Sequence, residues 1–92
     1  MLFRSAVITV TGKDSVGIIA AVAAECADCQ VNILDISQSV LQEYFAMIMI
    51  ADIDRLNIPF SDFADRMSAL GEAHGLDIHT MHEEIFNTMH RI

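Results

Sequence analysis

SAVITVTGKDSVGIIAAVAAECADC, residues 5–29, changes its repeat at one point, and that change decides the fold. Before Gly12 the residues are largely β-branched and alternate, with Ala6, Ile8 and Val10 on one face. This is the two-residue period of a strand with one face in a core. Gly12-Lys13-Asp14-Ser15 breaks the pattern, and from Val16 to near Cys29 the period is helical, with Ile19, Val22, Ala23, Cys26 and Ala27 in a stripe. Glu25 is the only charge between Val16 and Ala27. A helix this apolar suits burial between a sheet and a second layer.

The chain on either side completes the pattern. Val31 to Leu41 reads as a second strand, Gln42-Glu43 as a turn, and Tyr44 to Ala51 as a third strand. Phe45, Met47 and Met49 occupy one side of that third strand, and Tyr44, Ala46, Ile48 and Ile50 the other. Both sides are apolar, which in an antiparallel sheet predicts that both are covered. A mostly polar loop over 52–58 leads to Pro59, suited to a helix's first turn. Phe60, Phe63, Met67 and Leu70 follow at helical spacing, with Gly75 as the C-terminal cap. Leu76 to Met81 reads as a fourth strand, and a tail from Glu83 carries Ile85, Phe86, Met89 and Ile92 at helical spacing. The order βαββαβ predicts an α+β fold, a ferredoxin-like plait with a four-stranded antiparallel sheet, two helices on one face and a short C-terminal helix. Residues 1–92 read as a single domain with a core over about 5–82 and a helical tail over 83–92.

Composition narrows the function classes. Five basic against thirteen acidic residues give a formal charge of −8, with no basic run. Such a surface repels phosphate backbones and anionic lipid, so neither nucleic acid nor membrane is an expected partner. No stretch approaches the roughly 18 consecutive apolar residues of a membrane helix, and the N-terminus lacks the features of a signal peptide. The expected location is the cytoplasm, where Cys26 and Cys29 would be reduced. Apolar residues make up 53% of the chain, more than a small interior can hold, which points to a subunit interface: a dimer or higher oligomer.

Three constellations could carry chemistry. Cys26-Ala27-Asp28-Cys29 falls at the C-terminal end of the first helix, where the dipole disfavours a thiolate, so these read as buried small hydrophobes rather than a redox or metal pair. His74, His79, His82 and His90 match no zinc spacing and read as solvated. No nucleophile–base signature is visible, and neither catalysis nor a cofactor is expected. The third constellation is the loop Gly12 to Ile18. Its glycines permit a tight turn and close approach of a ligand to the backbone. The free amides at a helix start would hold a carboxylate, and Asp14 could take an ammonium. Such a loop complements an amino-acid zwitterion, while a plain turn with Asp14 or Ser15 as N-cap accounts for the same residues.

Gly-x-Asp-x-x-Gly-Ile after the first strand, with Val31-Asn32-Ile33 opening the second, resembles the ACT-domain pattern, and residues 6 to about 82 follow that family's βαββαβ order. Asn32 to Met49, with Asp35-Ile36-Ser37-Gln38 and Tyr44-Phe45, is similar to the small standalone, uncharacterised ACT-domain proteins of bacteria and archaea. The resemblance implies a non-catalytic regulatory module that binds an amino acid between subunits and acts through a partner protein. It makes Asp14 and Asn32 the polar ligand contacts, has Gly17 and Ile18 offer backbone amides, and has Gly12 leave space. Serine-sensing members carry a histidine near the position of Gly12, and this chain does not, so no particular amino acid is implied. The tail from Glu83 lies outside the common pattern. A plait that only assembles, with an empty loop, remains the alternative, and an enzyme or metal carrier the third reading.

Overall fold

The computed structural model describes residues 4–13 and 17–85. Asp14, Ser15 and Val16 of the loop, and Phe86, Met89, His90 and Ile92 of the tail, lie outside the described residues. The elements are β1 (Ser5–Gly12), α1 (Ile18–Asp28), β2 (Asn32–Leu41), β3 (Tyr44–Asp52), α2 (Phe60–Ala73) and β4 (Asp77–His82). The strands form one antiparallel sheet in the order β2-β3-β1-β4, the ferredoxin-like plait, and the chain leaves β4 in a helical turn over 83–85.

Register explains the core. Ala6, Ile8, Val10 and Gly12 of β1 stand opposite Ala51, Met49, Met47 and Phe45 of β3, and all of these but the glycine are buried together with Ile78 of β4. Onto this one face pack Ile18, Val22 and Cys26 of α1 and Phe63 and Met67 of α2. The inward face of α1 is therefore rotated from the expected stripe: Ile18 is fully buried, whereas Ile19 and Ala27 are exposed. An Ala-rich helix that is apolar all round does not fix its own orientation, so packing chooses it.

Both helices close with Schellman geometry. After α2, Gly75 adopts φ 70°, its N–H donating to Glu72 O at 3.2 Å and that of Leu76 to Gly71 O at 2.8 Å. After α1, Gln30 takes the left-handed position at φ 62°, and Val31 N–H donates to Cys26 O at 2.8 Å. The expectation that both sides of β3 are covered is corrected along much of its length. Phe45, Met47 and Met49 are buried, but on the other side Tyr44 is 55% and Ile48 42% exposed, since both helices lie on one face.

Candidate functional site

Three of the five residues expected to contact a ligand gather at one end of the sheet. Gly12 ends β1, in register with Phe45, which pairs in turn with Val40. A Cβ at Gly12 would collide with Leu76 Cδ2, so one side of this glycine is taken up by the chain's own core. Its other side borders a cavity of about 210 Å³ lined by Thr11, Gly12, Ser39, Tyr44, Phe45 and Ala46.

Gly17 is the N-cap of α1 at φ 76°, a conformation glycine adopts without strain. Among the described residues no side chain caps this helix start, and no acidic residue occupies its first turn. The N-cap position is Gly17. The amides of a helix's first turn carry partial positive charge, and the Ile18 side chain at this helix start is buried.

Asn32 lies elsewhere. It opens β2, exposed, opposite Asp52, which pairs with Ser5. Gly12 and Asn32 therefore sit at opposite ends of the sheet, seven strand residues or roughly 23 Å apart along the strand direction. One chain does not bring them together.

Lys13 and Tyr44 were not among the expected ligand contacts. The Lys13 ammonium stands 5.8 Å from the Tyr44 ring centroid, within cation–π range. The signal was present, because Lys13 is the only lysine in the chain and lies inside the glycine loop.

The cysteines behave as small hydrophobes. Both are buried, and burial pushes the Cys26 thiol from its ordinary 9.0 up to about 11, with Cys29 and Glu25 adding to the rise. Burial also raises Cys29, opposed by Arg66 and reinforced by Glu25 and Asp28. Glu25 pairs with Arg66, tying α1 to α2. A thiol that holds its proton more tightly when folded contributes stability in full below pH 9, and that contribution is lost as pH rises towards 11. Above pH 9 the stability of the native chain should thus fall more steeply than that of Cys26→Ala, by about 1.4 kcal/mol per pH unit. Urea titrations across that range test this, and parallel curves would reject it.

His74 and His79 are exposed, and the His82 ring stacks on Phe60 with centroids 4.0 Å apart. Among the described residues no group of three or more His, Cys, Asp or Glu side chains is placed to hold a metal. No helix there is long and apolar enough to cross a membrane.

A family model described as the ACT domain matches residues 4–81. A UPF0237 protein of Listeria innocua is 41% identical over 87 residues, 95% of this chain and 98% of its own length. Among solved structures, an ACT domain protein from Streptococcus pneumoniae superposes with a TM-score of 0.79 at 36% identity, over 92% of this chain and 96% of its own. A formyltetrahydrofolate deformylase from Pseudomonas syringae also gives a TM-score of 0.79. At 20% identity, over 89% of this chain but 28% of the deformylase, it shares the fold alone.

Proposed function

This chain belongs to the ACT domain family, commonly ligand-binding regulatory domains, and from that premise we propose that it is a non-catalytic sensor of an amino acid bound between two copies. In this reading residues 1–92 form one module, acting in the cytoplasm through a partner protein. The ligand carboxylate rests on the amides that start α1, and Asp14 takes the ammonium. Asn32 of the second copy completes the site as a side-chain amide able to bind either end of a zwitterion.

The observation carrying this reading is the separation of Asn32 from the glycine loop along an exposed edge strand. β2 is an edge of the sheet, with Leu34, Ile36 and Val40 exposed on it. If two such edges meet antiparallel about a two-fold axis, Asn32 of each copy arrives at the other's Val40 end. That is the end holding Gly12 and Gly17.

Calorimetric titration with a panel of amino acids tests the proposal. Asp14→Ala should weaken binding about ten- to a hundred-fold by removing a charge-assisted hydrogen bond, with the melting temperature kept. Asn32→Ala should weaken it too. Mixing the two variants should restore about a quarter of the sites, because mixed dimers carry one intact site of two. No restoration would place Asn32 outside a shared site, and unchanged affinity in Asp14→Ala would remove that residue from it.

The exposed apolar residues on β2 also favour a second reading, a module that only assembles. Light scattering reporting a dimer, with no amino acid raising the melting temperature, would select it. A ligand at about 100 times its Kd should add roughly 2.7 kcal/mol.

A further inference from the structure

On the sheet face turned away from the helices, strand alternation sets Tyr44, Ala46 and Ile48 along β3. Register places Ala46 between Thr11 of β1 and Ser39 of β2. Tyr44 and Ile48 stand roughly 13 Å apart along the strand, and the alanine methyl between them is too short to fill the gap. The cavity of about 210 Å³ is this hollow, and its lining is almost wholly apolar. Its volume lies below the roughly 300–1,000 Å³ of sites for drug-sized ligands, so the occupant it fits is small.

A cation stands at the rim. Lys13 follows Gly12, and its ammonium is 5.8 Å from the centroid of the Tyr44 ring that walls the hollow. Among the described residues the ion pairs join Arg4 to Asp54 and Arg66 to Glu25, so no carboxylate there neutralises Lys13. The chain's formal charge is −8, and most of such a surface repels anions. An unmatched ammonium beside an apolar hollow reverses that locally. Phosphate would answer the charge and leave the hollow empty, and a neutral hydrocarbon would do the opposite. Only a ligand with an apolar body and a negative group meets both.

We infer that this hollow binds a small aryl carboxylate, its ring over Ala46 and beside Tyr44, its carboxylate at the Lys13 ammonium. A flat ring lies on a sheet surface with little loss of contact and pairs with the tyrosine ring. The site uses none of Asp14, Gly17, Ile18 or Asn32, and so goes beyond the amino-acid reading.

Benzoate is the probe, titrated into the full chain at constant ionic strength and followed by nuclear magnetic resonance. The expected result is saturable shifts at the Ala46 methyl and the Gly12 and Phe45 amides, with a Kd on the order of a millimolar. Lys13→Gln should weaken binding about five-fold or more. Ala46→Leu, at an exposed position, should fill the hollow and abolish binding, while Asn32→Ala leaves it unchanged. No saturable shift at these residues would overturn the inference. So would benzamide or inorganic phosphate binding as tightly as benzoate, or unchanged affinity in Lys13→Gln or Ala46→Leu. Weaker binding in Asn32→Ala would merge the hollow with the shared amino-acid site and overturn it as a site of its own.

Discussion

Phe63→Ala lowers the free energy of unfolding by ~3–5 kcal/mol, read as an earlier urea midpoint at unchanged slope. Phe63 is fully buried on the inner face of α2, one turn before the equally buried Met67, with the Phe60 ring 6.5 Å away and tilted by 50°. Truncation removes the largest side chain of the fully buried set from a core that cannot close fully round the gap. Domains of this size hold about 5–15 kcal/mol in total, so the loss is a large share and lowers the melting temperature by more than about 10 °C. Phe60→Ala, at a half-buried position, costs less. A loss below about 1 kcal/mol at Phe63 would mean that α2 is not seated as described.

Gly71→Ala should destabilise the fold by ~1–3 kcal/mol, opposite in sign to what helix propensity predicts. Alanine in a helix interior is favoured over glycine by about 1 kcal/mol. At Gly71, however, a Cβ would lie 2.7 Å from Leu76 O and 2.8 Å from Ile78 Cγ1. Leu76 O belongs to the backbone and cannot rotate away, so α2 has to move off β4. The same shift strains the bond from Leu76 N–H to Gly71 O. Equilibrium unfolding of the variant checks this, and an increase in stability would show that the helix–strand contact is loose.

Most elements are legible in the residue order because their causes are local. The alternation of Ala6, Ile8 and Val10, the glycine break after Thr11 and the Phe60–Phe63–Met67 spacing each express backbone geometry over a few residues. Gly75 announces the end of α2 because few other residues adopt a positive φ cheaply. Gln30 performs the same task after α1, held by the bond from Val31 N–H to Cys26 O, and no residue preference marks it.

Faces were less legible than elements. Ile18 and Ile19 are chemically identical, and only the placement of α1 against the sheet buries the first and exposes the second. The two apolar sides of β3 look alike in sequence, yet the two-helix layer covers one of them. At the candidate site the glycine loop was visible because φ and helix capping are local matters. The distance of Asn32 from it was not, since it follows from how β2, β3 and β1 align.

Residue order alone dictates six elements, their succession and the chemistry of the loop between β1 and α1, because periodicity, turn residues and charge act over neighbouring positions. Tertiary structure alone decides that α1 turns Ile18 inward, that Leu76 fills the space beside Gly12, and that Asn32 lies at the far end of the sheet. These depend on strand register and on which surfaces meet, contacts between residues distant along the chain that no local pattern specifies.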